Sequence, residues 1–233
     1  MPRELFSRQN WVFDLDNTLY PASCDLFAQI DVRMTEFVAD TLSLTKPDAR
    51  KLQKQYYAEF GTTLAGLMEV HGLQPQAFLD YVHDIDHSPL PRCDTFRARI
   101  EALPGRKFVF TNGSRGHAEG VTRSMGLDDV FDGMFGIEDA AYEPKPAPSA
   151  FTRFTNRFEI DPREAVFFED LSRNLLPAKD LGFATVLVHS DKDWSHEPED
   201  ARPGSHKDAA HEHIDYATDN LTGFLEQVLS IEF

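Results

Sequence analysis

A chain of 233 residues can bury one substantial core, or one core with a smaller satellite domain. Hydrophobic residues make up 41% and charged residues 27%, an ordinary balance for a globular protein. The formal charge of −16 argues against nucleic acid or an anionic membrane as partner, because both need a basic face.

Residues 1–10 are polar and lead straight into an apolar run, so no signal peptide is expected. No apolar run approaches the roughly 18 residues of a membrane helix. The two cysteines, Cys24 and Cys93, lack metal-ligand spacing and fit free thiols in a reducing compartment. Together these features predict a cytoplasmic protein.

Trp11-Val12-Phe13 is continuously apolar and stops at Asp14, the pattern of a buried strand with a polar carboxyl end. Residues 21–103 then contain no strand. Apolar residues at helical spacing predict helices over 25–42, 48–60, 64–70 and 76–82, with a further one over 94–103. We read 22–90 as an all-helical insert and 1–21 with 91–233 as the core. Four more strands are predicted at 107–111, 134–137, 165–168 and 184–188. Helices over 114–125, 149–158 and 177–181 separate them, with Pro177 expected in the first turn of the last. Strands alternating with helices predict an α/β fold: a Rossmann-like, doubly wound parallel sheet carrying the inserted helical domain.

Residues 189–212 are rich in His, Asp, Glu and Pro and show no periodicity, so a solvated loop is expected there. His196, His206, His211 and His213 invite a metal reading, but only the last two are close. Residues 213–217 predict a short final strand and 221–229 a closing helix.

The strand-end segment Asp14-Leu15-Asp16-Asn17-Thr18 carries two acids. In extended chain, residues two apart point the same way, so both carboxylates face one pocket. Such a pair repels unless a cation joins it, which implies acid–base chemistry or a metal. An acidic helix cap is the bland alternative. Three further polar strand ends weigh against it. Thr111-Asn112-Gly113-Ser114 offers a hydroxyl and backbone donors at a helix start, a natural phosphate cradle. Lys145 lies between Pro144 and Pro146, which restrict its backbone. Glu169 and Asp170 end the fourth strand, where buried acids need a partner such as Mg²⁺. Ligands of open parallel sheets bind beyond the carboxyl ends of the strands, and all four segments fall there.

These segments resemble the four motifs of the haloacid dehalogenase-like hydrolase superfamily, in the subfamily with an α-helical cap. The resemblance maps that family's Asp-x-Asp-x-Thr motif onto Asp14, Asp16 and Thr18, and its second motif onto Thr111. It maps the motif-three lysine onto Lys145 and the last acids onto Glu169 and Asp170. It implies Mg²⁺ held by Asp14, the carbonyl of Asp16 and Asp170, with Glu169 a further candidate. It also implies Asp14 as nucleophile and Asp16 as acid–base. Thr111, Asn112, Gly113 and Lys145 would then bind the phosphate.

An acid at position 16 favours phosphate esters over haloacids, since a halide leaves without a proton. Lys46, Lys51 and Lys54 look like ordinary helix charges and not the cap lysine of phosphonate hydrolases. The stretches Phe13–Pro21 and Phe168–Leu175 resemble the pyrimidine 5′-nucleotidase branch, which implies UMP or CMP as substrate. Phosphoglycolate and sugar-phosphate phosphatases are the nearest alternatives, followed by a phosphomutase. A non-catalytic binding protein on the same fold would be expected to lack one of these acids or the lysine.

Overall fold

The computed structural model describes residues 2–195 and 202–230. Its strands are β1 (Asn10–Phe13), β2 (Arg106–Phe110), β3 (Gly133–Phe135), β4 (Ala165–Glu169), β5 (Ala184–Val188) and β6 (Tyr216–Thr218). They form one parallel sheet in the order β3-β2-β1-β4-β5-β6. The chain order reverses beside β1, which is the switch point where such sheets open a crevice.

Every residue of β1, β4 and β5 is buried, which explains their unbroken apolar runs. Alternation splits β1 between two cores. Trp11 and Phe13 pack with Phe96 and Ile100 of α5 (Asp94–Ala102), Val121 of α6 (Arg115–Met125) and Leu225 of α9 (Leu221–Leu229). Val12 faces the other way, toward Phe151 and Phe154 of α7 (Pro148–Phe158) and Leu175 of α8 (Ser172–Leu181). Helices therefore cover both faces of a Rossmann-like sheet.

Between β1 and β2 lie α1 (Leu26–Leu42), α2 (Lys46–Phe60), α3 (Thr63–His71) and α4 (Pro75–Val82). Two of them begin and end on sequence-encoded stops. Thr45 and Thr62 cap α2 and α3, and Gly61 and Gly72 end them in left-handed backbone. Their apolar faces make a third cluster around Ile30, Val38, Leu67, Phe78 and Val82. Among the described residues no helix is long and apolar enough to cross a membrane. Cys24 and Cys93 are free thiols.

Three sequence expectations need correction. Pro177 lies inside α8 rather than in its first turn, because the helix already starts at Ser172. Burial of Leu175 and Ala178 against the sheet carries the helix through the proline, which forgoes one backbone bond. The third strand stops at Phe135, short of Ile137. A side chain at Gly136 would meet the backbone nitrogen of Arg115 at 2.5 Å, and Ile137 turns away into the helical cluster. The stretch 189–212 is not simply a solvated loop. Gly204 donates its N–H to the carbonyl of Asp170 at 2.6 Å, and residues 206–210 form a 3-10 turn. His196 lies outside the described residues.

Candidate active site

The end of β1 projects Asp14 and Asp16 into the crevice, while Leu15 between them is wholly buried in the core. The backbone of Asp14 stays in register, its N–H donating to the carbonyl of Phe168 at 2.9 Å. Asn17 then adopts a left-handed conformation with φ of 60°, which asparagine tolerates better than most residues. That turn brings its side-chain amide to within 3.4 Å of Oδ2 of Asp170.

Lys145 arrives from the loop after β3 and is 1% exposed. Its Nζ donates to Oδ1 of Asp14 at 2.7 Å, to Oε2 of Glu169 at 2.7 Å and to the carbonyl of Phe110 at 2.9 Å. An ammonium has three protons, and all three are used. Burial opposes its charge, but Asp14 and Glu169 outweigh that and raise its pKa. Asn112 fixes the loop that carries it. The Asn112 amide donates to the Lys145 carbonyl at 3.0 Å and accepts the Lys145 N–H at 2.7 Å. Its side chain thus holds the lysine in place. Thr111 is buried, and its hydroxyl accepts the N–H of Gly113 at 2.9 Å.

Glu169 is engaged at both oxygens, since Oε1 also accepts the N–H of Leu171 at 3.2 Å. Asp14, Glu169 and Asp170 present ligand oxygens within 4.8 Å of one another, all from buried residues. Burial and the neighbouring Glu169 push the Asp14 carboxyl up to about 8, although Lys145 pulls it down. Burial, then Glu169 and Asp14, raise Asp170 well above the usual carboxylate range. One lysine does not balance three buried acids. The donor set is all oxygen and anionic, which suits a hard divalent cation.

Asp16 behaves differently. Its Oδ1 accepts the hydroxyl of Tyr20 at 2.5 Å and lies 2.9 Å from Nε2 of His117. Burial alone would raise its pKa, but His117 and Tyr20 overcome that and lower it. Burial and Asp16 push the Tyr20 hydroxyl well above its ordinary value, so it remains a donor. Tyr20 lies in the Phe13–Pro21 stretch that carries the nucleotidase resemblance, but the sequence pattern linked neither it nor His117 to Asp16. The only trace was Ser114, whose hydroxyl caps α6 by accepting the N–H of His117 at 3.1 Å. That bond fixes the first turn of α6, which carries His117.

The four-helix layer forms the roof of the cleft, a cavity of about 170 Å³. Phe27, Ile30, Met34, Phe78 and Leu79 make its apolar wall. Asp31, Gln53 and Lys54 add a polar edge: Oδ1 of Asp31 accepts from both Gln53 and Lys54 at 2.7 Å. Arg173 of α8 reaches up to the hydroxyl of Tyr57 in α2 and lies 4.8 Å from the centre of its ring. Trp194 and Pro203 close the far side. The histidines 211 and 213 sit elsewhere, around Ser172.

The comparisons with known proteins bear on this arrangement. A family model described as haloacid dehalogenase-like hydrolase matches residues 11–182, which includes every strand-end residue just described. The chain belongs to the haloacid dehalogenase-like hydrolase family. Phosphate metabolism protein 8 of Saccharomyces cerevisiae is 27% identical over 220 residues, covering 86% of this chain and 67% of that protein. The HAD phosphatase from Thermococcus onnurineus superposes with a TM-score of 0.62 at 18% identity, over 95% of this chain and 97% of its own. L-2-haloacid dehalogenase from Xanthobacter autotrophicus gives 0.57 at 17% identity, over 97% and 100%. Likeness at those identities speaks for the shared haloacid dehalogenase-like fold.

Proposed function

We propose that this chain is a Mg²⁺-dependent phosphatase that hydrolyses a small phosphate monoester through a phosphoryl group carried on Asp14. The observation that carries this reading is the pairing of Asp14 with Asp16, one acid tied to Lys145 and the other to Tyr20 and His117. Two like groups held in unlike surroundings suit two different tasks.

A carboxylate oxygen of Asp14 attacks phosphorus, forming an O–P bond while the ester P–O bond breaks. The electron pair of that bond passes to the departing oxygen, which takes a proton from Asp16, whose proton affinity the negative charge of the bound ester raises again. Asp16 then accepts a proton from the water that hydrolyses the acyl phosphate. Lys145 and Thr111, with the backbone N–H of Asn112, stabilise the charge on the phosphoryl oxygens. Asn112 acts by fixing Lys145, and Gly113 lets the chain pass close to Thr111.

Asp14, Asp170 and the backbone carbonyl of Asp16 would hold the metal, with Glu169 turned toward Lys145 as their neighbour. Bound there, Mg²⁺ neutralises the surplus of buried negative charge and keeps Asp14 ionised. A haloacid substrate would leave Asp16 without a task, because halide departs unprotonated. A non-catalytic role would leave the buried lysine and acids, costly to assemble, without a use.

Residues 22–90 act in this reading as a cap over the cleft and residues 1–21 and 91–233 as the catalytic core. The apolar wall with one polar edge suits a flat, partly polar leaving group, as in a pyrimidine nucleoside 5′-monophosphate such as UMP or CMP. A phosphoglycolate carboxylate or a sugar hydroxyl face has less to gain from Phe27, Met34 and Phe78. The test is phosphate release from nucleoside monophosphates, sugar phosphates and phosphoglycolate with Mg²⁺. Turnover of UMP or CMP above the others is expected, and turnover of sugar phosphates alone would overturn the nucleotide assignment.

A further inference from the structure

Asp16 is held by one oxygen only. Both donors, the Tyr20 hydroxyl and His117 Nε2, converge on Oδ1. Among the described residues no hydrogen bond reaches Oδ2, and Asp16 lines the cleft.

His117 is committed to this contact. Its side chain is 0% exposed and its Nδ1 has no hydrogen-bond partner. Every polar interaction of the ring is therefore spent on Asp16. The ring is also braced. His83, just past the end of α4, stacks on it with centroids 4.4 Å apart and planes 13° from parallel. The Nδ1 of His83 is in turn 3.0 Å from the hydroxyl of Ser114, the residue that caps the helix bearing His117. A ring from the cap and a ring from the core thus form one stack behind the acid.

We infer that His117, braced by His83, is a positioning residue that clamps Oδ1 of Asp16 and aims Oδ2 at the ester oxygen of the bound substrate. The inference rests on the reading of Asp16 as the proton donor. As the ester bond breaks, its electron pair stays on the leaving oxygen. The proton on Oδ2 completes the alcohol, and Asp16 is left as a carboxylate facing the two donors. Because His83 belongs to the cap side, the aim of the acid is set only when cap and core are together.

A misplaced acid costs most where the leaving group most needs a proton. First-turnover release of the phenol is measured for phenyl phosphate and for 2,4-dinitrophenyl phosphate, whose anion leaves without one. His117→Ala is expected to slow the first by about 10²-fold and the second by less than about threefold. His117→Gln, which can return an N–H to Oδ1, should recover part of the loss. His83→Ala should show a smaller effect with the same selectivity. Asp16→Asn is the control. Selective loss in Asp16→Asn without it in His117→Ala overturns the positioning role alone. Equal loss on both esters in Asp16→Asn overturns the donor reading and this inference with it. Equal loss on both esters in His117→Ala, with Asp16→Asn selective, would make His117 merely structural. Should His117→Ala fail to fold, His117→Gln against His83→Ala carries the same comparison, and a lack of selectivity in both overturns the role.

Discussion

The Nζ of Lys145 stands 2.7 Å from Oδ1 of Asp14, joining residues 131 positions apart in the chain. Both groups are buried, and Glu169 accepts a second hydrogen bond from the same ammonium. The bridge makes the loop after β3 and the ends of β1 and β4 one unit.

Removing the cation should therefore be felt in stability as well as rate. Lys145→Met leaves two acids buried without their partner and is expected to cost about 3–5 kcal/mol. Urea unfolding of the metal-free protein measures this. An unchanged midpoint would mean that the bridge contributes nothing to the fold.

Mg²⁺ should stabilise the folded chain, because the acidic cluster exists only there. At about 100 times its dissociation constant it is expected to add about 2.7 kcal/mol. Asp170→Asn should remove most of the gain and most of the activity. Thermal melts with Mg²⁺ and with a chelator provide the check. Identical melts for the parent protein would count against a metal at Asp14 and Asp170.

Asp31 gives the four-helix insert its own pH dependence. Burial would raise its pKa, but Lys54 and Arg50 outweigh that and hold it below the ordinary 3.8. A lowered folded-state pKa means stability that is present above pH 3.8 and lost as pH falls through the folded value. Asp31→Asn should be less stable than the parent at pH 6, and the gap should shrink toward pH 3. Denaturant titrations at the two values measure it. A gap that stays constant would remove Asp31 as the source.

Tyr57 of α2 and Arg173 of α8 join the helical insert to the layer packed on the sheet, and the stacked guanidinium is worth up to about 2 kcal/mol. Tyr57→Ala is expected to raise KM for a nucleoside monophosphate by as much as about 30-fold, with a much smaller change for p-nitrophenyl phosphate. Steady-state kinetics on the two substrates decide it. Equal changes in KM would place Tyr57 outside leaving-group recognition.

The parts legible in the sequence were those written in local periodicity. Five apolar runs of strand length, each stopping at a polar residue, gave the parallel sheet and its active end. Asp14, Asp16, Lys145 and Asp170 stood out because each followed such a run. The helical insert was equally plain, since caps and apolar spacing repeat within it.

The features missed depend on partners far along the chain. His117 meets Asp16 across 101 positions, and no spacing rule links them. The start of α8 was hidden because Pro177 imitates a first-turn proline, while the burial that overrides it comes from the sheet. Gly204 sat in an aperiodic stretch. Its role follows from close approach, since a side chain there would meet Leu187 at 2.7 Å. In each case tertiary packing supplied what local pattern lacked.

The central claim is that Asp14 carries the phosphoryl group. Acid quenching during turnover with Mg²⁺, followed by borohydride reduction, converts an aspartyl phosphate to homoserine. Peptide mass spectrometry should find homoserine at position 14 and nowhere else, and Asp14→Asn should show neither the product nor turnover. Full turnover with no modification at position 14, or with Asp14→Asn still active, would contradict the account.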